Sequence, residues 1–335
     1  MPARIRTIVD PTFAAELARL RQRCGLSLRD LARAVHYGKS YLHDLESGRS
    51  RPTTEVAVQL DQALHASGVL AALVVDAPAV TTPDDDDRIA YVVDHPSRLD
   101  ARTVELLADA LAAQRRLDDA VAARLMLPAA VPQCRAVQEV AAQARGPHAP
   151  ALHEVAAEWT QFLGWLYAED GRHGKAVRAL TEAADQADAV ASGVLAAQAE
   201  NFLGYVQRHR RNPRGIVRHF LAAYHTPGST VLQRIGDGVQ AAHGYALLGD
   251  RAAAVRLLAE ASDLVEQAES ASAPPSAYWL TPTFGRMNIG LAHLALGEET
   301  TAADHLRAGL DNLPEDQRDA EWTTEYRQAL VAAGG

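Results

Sequence analysis

The chain has 335 residues, 48% hydrophobic but only 5% aromatic, which is enough for two domains with buried cores. Its formal charge of -9 is unevenly spread: residues 1–75 hold ten Arg/Lys against seven Asp/Glu, a net of +3, so residues 76–335 carry 23 against 35, a net of -12. Nucleic acid suits the first part and not the second. Cys24 and Cys134 fit neither a disulfide framework nor a zinc site, and are expected to be buried thiols in a reducing cytosol. The longest apolar run, 69–75, is too short to span a bilayer, so neither export nor a membrane partner is expected.

Helical periodicity begins near residue 12 and no segment alternates with the period of a strand, so the sequence predicts an all-α protein. Phe13, Leu17 and Leu20 share one face of a first helix, which Gly25 ends. Ser27 is placed to N-cap a second helix with Leu28, Leu31 and Ala32 inward. After the turn His36-Tyr37-Gly38, a third helix over 39–47 buries Leu42 and Leu45 and stops at Gly48. Thr53 or Thr54 caps a fourth, and a fifth near Val69 completes a five-helix domain over 1–75. Residues 76–100, with Pro78, Pro83, Pro96 and the acidic run 84–87, have the composition of a linker.

Residues 101–335 form the second predicted domain. A helical stretch over 100–126 is bounded by Pro128 and Pro132. Beyond Pro150 a pattern recurs: Leu163-Gly164-x-x-Tyr167, a turn at Gly171, then Ala176, Leu180 and Ala183. Comparable blocks follow around Leu203-Gly204, Tyr245 and Gly290, at intervals of 40, 38 and 48 residues. Small residues at fixed offsets over such a period mark a solenoid of helical hairpins, each needing its neighbours to bury an apolar face. Residues 315–333 supply a capping helix. No Gly-rich phosphate loop or H-E-x-x-H occurs, and the closest histidines, His209, His219 and His225, lack ligand spacing. No enzyme, metal or cofactor is expected.

Residues 26–52, GLSLRDLARAVHYGKSYLHDLESGRSRP when begun at Gly25, resemble the helix-turn-helix of the XRE family, relatives of phage Cro. The Gly25-Leu26-Ser27 entry, Leu31-Ala32, the Leu45-Glu46-x-Gly48 exit and Arg51-Pro52 carry the likeness. Leu28 departs from it, because many relatives place there a glutamine that touches the DNA backbone. In such a motif the start of the second helix faces base edges in the major groove. That assigns Lys39, Ser40, Tyr41 and His43 as base readers, with His43 either a reader or a plain surface histidine. Arg29, Arg49 and Arg51 become phosphate contacts, the last two alternatively pairing with Asp44 or Glu46. Arg19, Arg21 and Arg23 are either backbone contacts or a solvated face, and Arg4 and Arg6 either a minor-groove arm or a mobile terminus.

The hairpin pattern resembles the tetratricopeptide repeat, whose first helices line a concave wall. On that register the ligand-groove candidates are Gln161, Trp165, Asn201, Tyr205, Arg208 and His243, beside Val239, Met287 and Leu291. Joining the two modules resembles one-component sensors, including bacterial peptide-pheromone regulators. The resemblance implies a cytoplasmic, nucleoid-associated transcription regulator that binds a palindromic operator in double-stranded DNA as a homodimer, controlled by a peptide or small-molecule effector. Similar proteins of high-GC bacteria share Arg115-Arg116-Leu117-Asp118-Asp119 and Trp159-x-x-Phe162-x-Gly164-Trp165, and regulate development or specialised metabolism. The rival reading is a DNA-tethered scaffold whose array binds a protein partner.

Overall fold

A computed structural model describes residues 5–10, 12–66, 68–78, 83–268, 271–318 and 320–334. The chain divides into two compact units, 1–82 and 83–335. The first holds α1 (Phe13–Arg23), α2 (Leu28–Ala34), α3 (Lys39–Glu46) and α4 (Thr54–Leu64). Their ends follow from local chemistry. Ser27 Oγ accepts from the Asp30 amide at 3.2 Å while Asp30 accepts from the Ser27 amide at 3.3 Å, a reciprocal cap on α2. Gly25 and Gly48 take φ of +67° and +71°, a left-handed exit that costs an L side chain about 1 kcal/mol or more. Thr53, not Thr54, caps α4 by accepting from the Val56 amide at 3.3 Å. Leu17, Leu31, Leu42, Leu45, Leu60 and Leu64 meet in one buried core.

Three expectations change in this unit. The fifth helix does not form: after Gly68 the chain makes one 3-10 turn, Ala71–Leu73, and then a strand. The buried Asp61 carboxylate accepts from the Leu70 amide at 2.9 Å and the Ala71 amide at 2.7 Å, fixing that turn. The following residues are extended as β2 (Val74–Pro78), antiparallel to β1 (Ile5–Val9), with Val9 opposite Val74. Both runs are too short to display an alternating pattern, and their hydrogen-bond partners lie at opposite ends of the unit. Arg6 therefore belongs to a strand and not to a loose arm, while Arg4 lies outside the described residues. Cys24 is exposed instead of buried, whereas Cys134 is buried and its thiol is pushed up to about 11 by burial.

The second unit begins with α5 (Pro83–Asp94), α6 (Ala101–Asp118) and α7 (Ala123–Gln143). Four hairpins follow: α8 (Ala149–Glu169) with α9 (His173–Ala189), α10 (Gly193–His209) with α11 (Pro213–His225), α12 (Val231–Leu247) with α13 (Arg251–Gln267), and α14 (Pro282–Ala295) with α15 (Glu299–Asp311). α16 (Thr324–Ala332) comes last. The predicted linker is thus largely folded. Asp84, Asp85 and Asp86 occupy the first turn of α5, where free amides and the helix dipole favour acids, and Pro83 starts the helix without needing an amide partner. Arg102 pairs with Asp85 at 3.3 Å and Arg88 pairs with Asp100, binding α5 to α6. Pro128 and Pro132 do not bound a helix either; both lie inside α7, and the break falls at 119–122. Each removes a backbone hydrogen bond, a cost of about 3 kcal/mol, which burial of Met126, Leu127, Cys134, Val137 and Val140 offsets. The capping segment is shorter than expected, two 3-10 turns (Glu315–Gln317 and Glu321–Thr323) before α16.

The glycines of the repeat set hairpin spacing. A Cβ built on Gly164, Gly204 or Gly290 would lie 2.7, 2.7 and 2.6 Å from Leu180, Phe220 and Leu306. Each glycine meets the residue sixteen positions later on the returning helix, so the sequence period encodes a helix-helix contact. Phe220 is wholly buried and cannot step aside. Gly204→Ala is expected to destabilise this unit by about 1–2 kcal/mol despite the better helix propensity, lowering its melting temperature by about 2–6 °C in calorimetry. An unchanged or raised temperature would show that the contact is slack.

Candidate functional site

In the first unit, α2 and α3 are joined by a turn in which His36 takes φ of +56°. Leu42 and Leu45 anchor α3 in the core, which leaves Lys39, Ser40 and His43 exposed together on its outer face. Gly38 begins α3 without a side-chain cap. Tyr41 is half-buried: its ring packs 5.6 Å from Tyr37, and burial raises its hydroxyl above the usual tyrosine range. Arg29 and Arg51 are exposed. Arg49 is exposed too, but its Nη2 lies 2.7 Å from Asp44 Oδ1. Arg21 holds Glu46 through two hydrogen bonds of 2.6 and 2.9 Å and donates to the Leu26 carbonyl at 2.8 Å. That half-buried fork braces α1 against the end of α3, so Arg21 is structural.

The second unit contains a recess that gathers nine of the chain's eighteen aromatic residues (five Phe, four Trp, nine Tyr). The rings form a continuous path. Trp165 on α8 lies 5.0 Å from Phe202 and 4.9 Å from Tyr205 on α10; Trp279 lies 6.1 Å from Phe202 and 5.1 Å from Phe284; Trp322 follows at 5.8 Å from Phe284. The recess spans about 790 Å³ with its mouth included, but only about 80 Å³ can hold the centre of a water molecule. The smaller figure decides what fits: a small molecule or one or two side chains, not a folded partner.

Polar groups punctuate the rings. Trp165 Nε1 donates to Asp118 Oδ2 at 2.6 Å, and the Tyr278 hydroxyl lies 2.7 Å from Asp119 Oδ2 and 2.9 Å from the Arg115 carbonyl oxygen. Arg115 pairs with Glu158 at 2.6 Å. Arg208 is buried, 2.8 Å from Glu325 Oε2, and donates to Gln240, Asn288 and Tyr326 while its guanidinium lies over the Tyr205 ring at 5.2 Å. Tyr205 donates to Glu169. Burial, reinforced by Glu169, Asp119 and Glu321, pushes the Asp118 carboxyl up to about 8, although the Trp165 hydrogen bond works the other way. Burial likewise pushes Glu169 up to about 7. His243 goes the opposite way, to about 3, through burial and then the nearby Arg208 charge.

These shifts give a pH dependence with a definite sign. An acid whose folded value is raised stabilises the fold below its unfolded value and loses that contribution as pH rises through the folded one. For Asp118 and Glu169 the loss therefore runs from about 4 to 8. A depressed histidine stabilises above its unfolded value and loses this as pH falls, so His243 opposes the acids only below about 6.5. Both carboxylic residues keep some exposed surface, which trims the effect. The second unit's stability is expected to fall by about 1 kcal/mol per pH unit between pH 6.5 and 8, and less in Asp118→Asn, by thermal unfolding. A stability that rises over that window contradicts the assignment.

Residues 12–74 match the family model described as a helix-turn-helix domain. That segment is a helix-turn-helix domain. Among solved structures, PlcR of Bacillus thuringiensis, crystallised in complex with the peptide PapR7 and DNA, is similar at 12% identity and a TM-score of 0.39, over 96% of this chain and 99% of that one. No curated protein matches the sequence. The chain joins the helix-turn-helix domain to an array of four helical hairpins.

The outer face of the helix-turn-helix domain brings Lys39, Ser40 and His43 together, with Tyr41 at its edge. In the array, Trp165, Asn201, Tyr205 and Arg208 line one recess. Asn201 Nδ2 donates to the buried Asp237 at 2.5 Å, so that amide proton is already engaged. Gln161 and His243 are not in the lining. Gln161 is buried and donates to the Leu195 carbonyl at 2.9 Å, tying α8 to α10, and His243 is buried beside Arg208. Val239, Met287 and Leu291 are buried as well. Sequence reasoning missed Phe202, Tyr278, Trp279, Trp322 and Tyr326. The long 48-residue interval was the available signal, because the extra residues between α13 and α14 carry Tyr278 and Trp279 into the recess. The 115–119 motif was another: Arg115, Asp118 and Asp119 all line it. Among the described residues no group of three or more His, Cys, Asp or Glu is placed to hold a metal, and no helix is long and apolar enough to cross a membrane.

Proposed function

We propose that the protein is a sequence-specific DNA-binding transcription regulator whose activity is set by an effector in the aromatic recess. The observation that carries the reading is the outer face of α3, where Lys39, Ser40 and His43 stand in solvent opposite the buried Leu42 and Leu45. A helix so anchored fits the major groove of B-DNA. Lys39 donates to guanine O6 and N7, Ser40 serves as donor or acceptor, His43 reads one turn further along, and the Tyr41 hydroxyl reaches a phosphate. Arg29 and Arg51 meet phosphates, joined by Arg49 when it leaves Asp44.

A net charge of +3 over residues 1–75 is small for tight binding by one copy, so the reading includes a homodimer on a palindrome with half-sites one helical turn, or a multiple of it, apart. Such a regulator works in the cytoplasm, on the nucleoid. The narrow, ring-lined recess favours a small effector, or a peptide that inserts a side chain, over the broad contact of a protein scaffold. Sequencing the genomic fragments that the purified protein retains tests the first half. A shared two-fold motif is the expected result, and fragments with no common motif sink it. Light scattering alongside is expected to give a dimer.

A further inference from the structure

We infer that the recess takes a small organic cation: an aromatic or apolar body bearing a protonated amine, seated on the rings with its charge at Asp118. This rests on the effector reading above and names the chemistry of the ligand. Three independent features of the site agree on it.

The first is the wall. Trp165, Phe202, Trp279, Phe284 and Trp322 line a partly open recess, and ring faces attract cations more strongly where they are shielded from water. The second is the balance of charge. The lining cations, Arg115 and Arg208, are each matched already, by Glu158 and Glu325. Facing Asp118 are Arg115 from its own helix, Asp119 just past that helix's end, Glu169 from the end of α8, Glu315 and Glu321 from the two 3-10 turns, and the Tyr278 hydroxyl. Carboxyl groups outnumber cations there, so an anionic ligand is repelled and a cationic one is drawn in.

The third feature is a set of buried polar atoms without protein partners. Gln198 is 3% exposed; its Nε2 donates to the Ser276 carbonyl at 2.8 Å while its Oε1 has no hydrogen bond, leaving an acceptor in the lining for a ligand N–H. Arg115 Nη2 and Arg208 Nε are donors without acceptors. Because Glu158 and Glu325 already meet those two charges, the donors call for a neutral oxygen, a carbonyl or hydroxyl on the same ligand, and not a carboxylate. The carboxyl of Asp118 keeps its proton up to about 8. A cation beside it favours the carboxylate, so binding at neutral pH expels that proton to solvent.

Isothermal titration of the full-length protein with three probes of like shape separates the possibilities: phenethylamine, 2-phenylethanol and 3-phenylpropionate. Phenethylamine is expected to bind about tenfold tighter than the alcohol, with the carboxylate weakest. Titrations at pH 7 in buffers of different ionisation enthalpy are expected to show release of about one proton with the amine and none with the alcohol. Amine affinity should rise by nearly tenfold per pH unit from 6 to 7 and level off near 8. Asp118→Asn should abolish the proton release and the amine's advantage while leaving the alcohol's affinity in place, which also reports that the variant is folded. Equal or tighter binding by the alcohol or the carboxylate, or amine binding without proton release, overturns the cationic assignment and leaves the effector site standing. Failure of all three probes to bind at millimolar concentration overturns the effector site itself.

Discussion

Arg208→Ala is expected to cost the second unit about 3–5 kcal/mol, lowering its melting temperature by about 10 °C. The side chain is buried and ties three other helices to its own: from α10 it meets Gln240 on α12, Asn288 on α14, and Glu325 and Tyr326 on α16. Truncation strips the charge partner from Glu325 and a donor from each of the three neutral groups, and it removes the cation from the Tyr205 and Tyr326 ring faces. Arg208→Lys should recover only part of the loss, since an ammonium cannot reproduce the planar fork. Differential scanning calorimetry at fixed pH reads both variants. A change below about 1 kcal/mol in Arg208→Ala would mean that the array does not depend on this node for stability.

The second large effect concerns DNA. Lys39→Ala is expected to reduce affinity for the selected operator by about 1–3 kcal/mol and to relax preference at one base position only, because a single donor to a base edge is lost. Arg51→Ala should instead weaken all sequences alike and reduce the slope of log affinity against log salt by about one. Arg49→Ala is expected to do less than Arg51→Ala, since Asp44 already neutralises part of its charge at 2.7 Å. Binding measured on randomised sites over a salt series distinguishes these patterns. Uniform weakening by Lys39→Ala would demote that residue to a phosphate contact.

Much of the fold was legible because its determinants are local. Ser27 and Asp30 cap α2, Gly25 and Gly48 close α1 and α3, and the Gly164, Gly204 and Gly290 offsets mark three of the hairpins. The same logic misread 76–100. An Asp run in water and an Asp run in the first turn of a helix have one composition, and only the contacts of Arg102 and Arg88 with Asp85 and Asp100 decide between them. Pro128 and Pro132 misled in the same manner, because a buried face outweighed their local cost.

By itself, then, the sequence determined what depends on near neighbours: the helix-turn-helix boundaries, the outward Lys39, Ser40 and His43, and the repeating hairpins that contain Trp165 and Tyr205. Tertiary structure decided what depends on distant ones. Tyr278 reaches Asp119 across 159 residues and Gln317 reaches it across 198, closing the array around a space that no periodicity records. Capping and helical periodicity act within a few residues of chain, whereas a recess arises from the accumulated rotation of successive hairpins, which brings α6 and the stretch before α16 to one place.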